Sequence, residues 1–326
     1  MKKILIIVLI FLLGIALLFL NSKPVDNDNL VSVSLAEVTH SVFYTPLYVA
    51  IENGYFKDNG IHLDLVLTSG ADKVSAAVLS NSVSVGFAGL ESTIYVYENG
   101  EEDYLVSFAG LTKRDGQFIV AREKMDDFSL EDLKGKEVLA GRTGGMPVLN
   151  FYNALEHEGI DPRSININES IDFASLSGTF ISGVGDYVNL FEPNAFKLEK
   201  EGLGYVVGSV GLLSGEMPYT VFYARKSFID NNPDIISKFN DSINKALDYV
   251  EHHSNKEVAQ VIAKQFPDNT IDELEVIIGR YRDNDSWLSN TTISYDSFKN
   301  LEDLMMKNHL LNDYIPFKDL VMNINE

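Results

Sequence analysis

TPLYVAIENGYFKDNG, residues 45–60, carries three local signals in order. Thr45 followed by Pro46 reads as an N-cap and first helical residue ahead of Leu47, Val49, Ala50 and Ile51, since proline's fixed φ and missing N–H suit a first turn. Gly54 stops that helix, and Tyr55 and Phe56 are expected to pin its end against a sheet. Ile61, Leu63, Leu65 and Leu67 then alternate as a strand, as do residues 30–35 upstream.

The same grammar continues down the chain. Ser69, Gly70 and Ala71 open a helix to Leu79, residues 83–88 form a strand, and Gly89 to Ser92 open another helix to about Tyr97. Strands with helices of about ten residues between them are βα units of a largely parallel sheet. After strand-like stretches at 105–109 and 117–121, a charged run interrupts the pattern, which restarts with a strand at 137–140 leading into the glycine turn at 141–146. A helix is predicted over 147–158 and strands over 205–210 and 219–223. Beyond Asn232 and Pro233 the helices 234–250, 256–264, 271–281 and 297–307 follow. The expectation is an α/β fold of two lobes with mostly parallel sheets flanked by helices. Lobe one would be residues 30–118 and 217–326, and lobe two the insertion 119–216. A solute would sit in the cleft where strand carboxyl ends and helix starts converge.

The N-terminus adds a location. Lys2 and Lys3 precede an apolar run at residues 4–20, and a polar stretch follows to residue 29. That pattern directs a chain to a membrane. A spanning helix needs roughly 20 apolar residues and at least about 17. Leu18, Phe19, Leu20 and Asn21 offer no small-residue cleavage site, so an uncleaved anchor with the body outside is expected, with cleavage and release as the alternative. The chain has no cysteine, which excludes disulfides, thiolate nucleophiles, cysteine metal sites and lipid attachment at an N-terminal cysteine. Acidic residues outnumber basic ones 47 to 26, a net charge of −21, so there is no basic field to hold nucleic acid.

Three strand-to-helix turns of small residues can present free backbone N–H groups to a ligand: the ones around Gly70, around Gly89, and at Gly144, Gly145 and Met146. Each is equally a tight connection, and none matches a Rossmann or Walker glycine pattern. Phe43 and Tyr44 lie at the mouth of the first βα unit, where a ring can stack on a flat solute. Among carboxylates, Glu91 and Asp186 read either as helix-start or surface charges or as ligand contacts. Glu192, between Phe191 and Pro193, stands in a dry setting where it would seek a donor such as a ligand amine. Arg142 and the helix-start N–H groups could instead hold an oxyanion. The six histidines form no H-E-x-x-H, and no G-x-S-x-G elbow is present, so catalysis and cofactors find no support.

With these stretches in view, the chain resembles the extracytoplasmic solute-binding proteins of ABC importers, in the group that takes up thiamine pyrimidine precursors, nitrate, sulfonates and taurine. The resemblance rests on FYTPLYVAIENGYFKDNGIHLDLV (43–66), GRTGGMPVLNFY (141–152), GDYVNLFEPNAFKLEKEG (185–202), GEMPYTVFYARKSFIDNNPDII (215–236) and RYRDNDSW (280–287). It implies the two-lobed type II periplasmic-binding-protein fold, a small-molecule solute, a membrane permease with a separate ATPase subunit as partners, and a monomeric receptor on the outer face of the cell membrane. On this sequence the implied ligand contacts are Phe43, Tyr44, Gly70, Gly89, Glu91, Gly144, Gly145, Met146, Asp186 and Glu192, the last toward the amine of a pyrimidine ring. Nitrate, alkanesulfonates and taurine are the alternative solutes, and an anchored sensing ectodomain the alternative role. The chain departs from many Gram-positive members in lacking a lipobox cysteine. It also lacks the cysteine-rich motif of the yeast-type pyrimidine synthases that resemble this fold.

Overall fold

The computed structural model describes residues 30–324, so the apolar segment at 4–20 lies outside the described residues. Among the described residues no helix is long and apolar enough to cross a membrane. The described residues form ten strands: β1 Val31–Glu37, β2 Ile61–Leu67, β3 Val85–Ala88, β4 Leu105–Thr112, β5 Phe118–Ala121, β6 Glu137–Leu139, β7 Asn166–Asn168, β8 Tyr187–Leu190, β9 Tyr205–Ser209 and β10 Thr220–Arg225. They form two five-stranded sheets, ordered β2-β1-β3-β10-β4 and β7-β6-β8-β5-β9.

Each sheet contains one reversed strand in the fourth position. β10 runs antiparallel to β3 and β4, and β5 antiparallel to β8 and β9, while β1, β2 and β3 and likewise β6, β7 and β8 pair in parallel. The chain leaves the first sheet after Thr112 and returns to it at Thr220. Its crossing segments are hydrogen-bonded to each other, Met217 N–H to Lys113 O at 2.9 Å and Tyr219 N–H to Thr112 O at 3.1 Å.

The central strands read as continuous apolar runs because helices cover both faces. β3 and β4 are buried at every position, whereas the edge strand β2 alternates and leaves Val66 and Leu67 exposed. The helix Thr45–Glu52 forms as expected, but Thr45 is not its cap. A 3-10 turn, Val42–Tyr44, precedes it, the Thr45 hydroxyl donates to Val42 O at 2.6 Å, and Ser41 caps the turn by accepting from Phe43 N–H. Gly54 adopts φ +76°, the left-handed conformation that ends the helix at little cost for glycine. Phe56 is buried against Phe239 of the long helix Pro233–His252 rather than against a sheet as anticipated, and Tyr55 is only half-buried. β7 and β8 escape the sequence reading: NIN has one apolar side chain, and YVNL is too short to show a period.

Phe43 packs at the junction of the sheets. Its ring lies 5.0 Å from Phe191, 5.7 Å from Tyr219 and 5.2 Å from Tyr281, and its carbonyl accepts from Trp287 Nε1 at 2.8 Å. Gly116, in the first crossing segment, lies so close that a Cβ there would meet the Phe43 ring at 2.6 Å. Gly116→Ala is therefore expected to destabilise the protein by roughly 1–3 kcal/mol through overpacking. An unchanged urea midpoint would show that this contact yields freely.

Candidate functional site

A cavity of about 570 Å³ opens where the carboxyl ends of parallel strands from both sheets face each other. Val38 and Thr39 follow β1, Ser69 and Gly70 follow β2, Gly89 and Glu91 follow β3, Arg142 to Met146 follow β6, and Phe191 follows β8. Tyr219 and Thr220 join this end because β10 is reversed and begins where its neighbours finish.

Of the anticipated contacts, Tyr44, Gly70, Gly89, Glu91, Gly144, Gly145 and Met146 line the cavity. The three glycine turns read separately along the chain thus converge, each opening a helix: Ala71–Leu79, Glu91–Glu98 and Met146–His157. Gly144, at φ +79°, receives a hydrogen bond on its carbonyl from the Tyr95 hydroxyl at 2.8 Å, a tie from the first sheet's helix to the second sheet's turn.

Phe43, Asp186 and Glu192 lie off the cavity. Phe43 is fully buried behind the wall formed by Tyr44, Phe191 and Tyr219, so it shapes that wall from the rear. Asp186 precedes β8 and accepts from Glu137 N–H at 2.8 Å, which places it at the amino ends of the strands, away from the cavity. Glu192 is one residue past Phe191, in the turn that leads from β8 into the helix Asn194–Lys200, and it faces away from the cavity. There its Oε1 meets Arg280 Nη1 at 2.6 Å and its Oε2 accepts from Phe196 N–H at 2.6 Å. Arg280 also binds Glu199. The donor that Glu192 seeks comes from the protein.

Glu91 is different. It is 3% exposed, has no cation partner among the described residues, and its Oε2 has no hydrogen-bond donor. Burial pushes its carboxyl up to about 8, and the backbone N–H groups of its own residue, Met146 and Ser92 offset this only in part. The carboxylate packs tightly beneath Gly89, where a Cβ would sit 1.9 Å from Oε2. Aromatic side chains share its cavity: Tyr44, Tyr95, Phe191 and Tyr219 all line it, and Phe173 meets Phe191 edge-on at 4.8 Å. Tyr95, Phe173 and Tyr219 were not singled out from sequence, where nothing local marks them as reaching a cavity. Arg142 lies at the mouth, 3.8 Å from Asp72 and 3.4 Å from Asp172, all more than half exposed.

Against this geometry, known proteins fall into place. Residues 42–256 match the NMT1/THI5-like family, and the chain belongs to it. The Bacillus subtilis protein YtlA, a binding protein by name, is 40% identical over 309 residues, 94% of this chain and 92% of YtlA. The 4-amino-5-hydroxymethyl-2-methylpyrimidine phosphate synthase of Candida albicans is 24% identical over 234 residues, 67% of this chain and 66% of that one. The alkanesulfonate-binding protein SsuA of Xanthomonas axonopodis pv. citri, solved with MOPS bound, superposes with a TM-score of 0.70 at 16% identity over 90% of this chain and 98% of SsuA. The α/β architecture of two sheets with flanking helices is therefore that of the periplasmic binding proteins.

Two measurements follow. Arg280→Ala leaves Glu192 buried without its cation and should destabilise by roughly 2–4 kcal/mol, whereas Arg280→Met with Glu192→Gln should cost clearly less. Equal losses would mean that packing, not charge, is at stake. For Glu91, an ordinary value of 4.5 raised to about 8 means the folded chain keeps a proton that the unfolded chain releases across that interval. Stability attributable to this group is full below about pH 4.5 and falls as pH rises to about 8. Glu91→Gln should thus melt like the parent at pH 5 and progressively higher than it by pH 8, each pKa unit being worth ~1.4 kcal/mol. A constant or shrinking difference over that range contradicts the assignment.

Proposed function

We propose that this chain is the solute-capturing subunit of an ABC importer, and that its solute is a small planar heterocycle carrying an amine. The observation that carries the reading is Glu91, a buried carboxylate on an aromatic-lined cavity whose Oε2 has no hydrogen-bond donor. A buried acceptor without a donor costs on the order of 1–3 kcal/mol, more when charged, and a ligand amine would remove that cost. The aromatic side chains suit a flat ring. A pyrimidine bearing an exocyclic amine has both features, and the likeness to a pyrimidine phosphate synthase adds support to that solute class.

An oxyanion fits less well. Helix starts attract anions, but beside Met146 and Ser92 that position is already taken by the Glu91 carboxylate. Arg142, the residue expected to clamp nitrate or a sulfonate, stands at the exposed mouth beside Asp72 and Asp172, whose charges would oppose an anion there. We further assign residues 30–118 with 217–326 to one lobe and 119–216 to the other, closing on the cavity between them. The segment at 4–20 would hold this monomeric receptor at the outer face of the membrane, beside its permease and ATPase. The role is capture without chemical change, in keeping with the name of the Bacillus relative.

Calorimetry and melting of the purified full-length chain test this against 4-amino-5-hydroxymethyl-2-methylpyrimidine, its formylamino derivative, nitrate, taurine and an alkanesulfonate. A pyrimidine at about 100 times its Kd should add ~2.7 kcal/mol of stability and be recovered intact. Glu91→Gln should weaken it about tenfold or more, as expected for losing a charge-assisted hydrogen bond. Tight binding of an anion, with none of either pyrimidine, would overturn the reading.

A further inference from the structure

Building on that reading, we propose that the site holds its ligand as a cation, and that Asp115, which does not line the cavity, supplies a second negative charge from behind Tyr219. Asp115 lies in the first crossing segment with its side chain fully buried. Its Oδ1 accepts from Gln117 N–H at 2.6 Å, and the Tyr219 hydroxyl lies beside the carboxyl without completing a well-formed hydrogen bond. Like Glu91, it has no cation partner among the described residues.

Tyr44 and Tyr219, two aromatic side chains on the cavity wall, lie within the field of both acids. The Tyr44 hydroxyl is pushed up first by burial and then by the charges of Glu37, Glu91 and Asp115, and the Tyr219 hydroxyl first by burial and then by Asp115, with Glu91 adding to it. Burial raises both carboxyls in turn, as it does for acids with no positive neighbour. The cations of the lining stand elsewhere, Lys73 exposed on the helix Ala71–Leu79 and Arg142 engaged at the mouth. The inner wall therefore presents one buried acid, Glu91, with a second, Asp115, behind it, and no base. Removing a carboxylate from water is costly, so each acid keeps its proton until a cation enters and offsets the charge, and then releases it to solvent. In such dry surroundings attraction falls off slowly enough for Asp115 to act through the thickness of one tyrosine. A positively charged ring satisfies both acids at once, whereas a neutral ring of the same shape satisfies only the free acceptor on Glu91.

The test compares two flat amines of similar shape, 4-aminopyridine, a cation at neutral pH, and aniline, which is uncharged. Both are titrated into the purified full-length chain at pH 7. We expect 4-aminopyridine to bind about tenfold more tightly, and Asp115→Asn to narrow that preference about threefold, mainly through loss of cation affinity. A variant that weakens both probes equally, as a merely structural residue would, overturns the role of Asp115. Asp115→Ser takes its place should the Asn variant fail to fold. Aniline binding as tightly as 4-aminopyridine removes the cation while leaving the amine-bearing ring in place. Failure of both probes and of the pyrimidines, with tight binding of a sulfonate, removes the underlying reading itself.

Discussion

Two stretches of chain cross between the sheets side by side, and the hydrogen bonds that join them set the geometry of everything around the cavity. Lys113 and Thr112 accept from Met217 and Tyr219, and Val210 N–H donates to Gln117 O at 3.0 Å, so the outgoing and returning crossings are held together. Because the chain arrives in each sheet through such a crossing, β5 and β10 enter reversed between strands that otherwise run one way. The reversed entry of β10 delivers Tyr219 and Thr220 to the same end as the loops after β1, β2 and β3. Gly116 and Phe43 then close the junction at a separation that only glycine permits.

The site also shows how one residue type serves opposite ends. Glu91 and Glu192 are both almost wholly buried glutamates near the junction. Glu192 meets Arg280, which also binds Glu199, and receives the Phe196 N–H, so its charge is neutralised from within and joins the second sheet to the helix Ile271–Asp283. Tyr281 reinforces the join, its hydroxyl accepting from Glu192 N–H at 2.9 Å and donating to Gly116 O at 3.2 Å. Glu91 has no such cation and retains an unsatisfied oxygen. A protein that buries a carboxylate without a partner gives up stability there, a cost that a binding site recovers only when its ligand is present. At the mouth, by contrast, Arg142 and its two aspartates are exposed and screened, worth about 0–1 kcal/mol.

Much of this was legible in the order of residues. Pro46, Gly54 and the alternation from Ile61 to Leu67 set a helix and a strand within a residue or two of where they lie, because a fixed φ, a left-handed turn and a period of two are local properties. The small-residue turns at Gly70, Gly89 and Gly144 to Met146 were recognisable as helix starts for the same reason, and all three reach the cavity. The strands β7 and β8 were not legible, since a three-residue stretch with one apolar side chain and a four-residue run hold too little pattern to separate from a loop.

The sequence by itself thus determined the elements, the α/β class and the family resemblance, all of which rest on spacing between near neighbours. Only the tertiary structure decided which of the two glutamates, Glu91 or Glu192, stands unsatisfied. Arg280 lies 88 positions from Glu192, and nothing local records that they meet. That pairing removes Glu192 from the site and leaves Glu91 facing the aromatic wall, because a charge's role depends on what surrounds it in space, while its neighbours in sequence fix only the backbone that carries it.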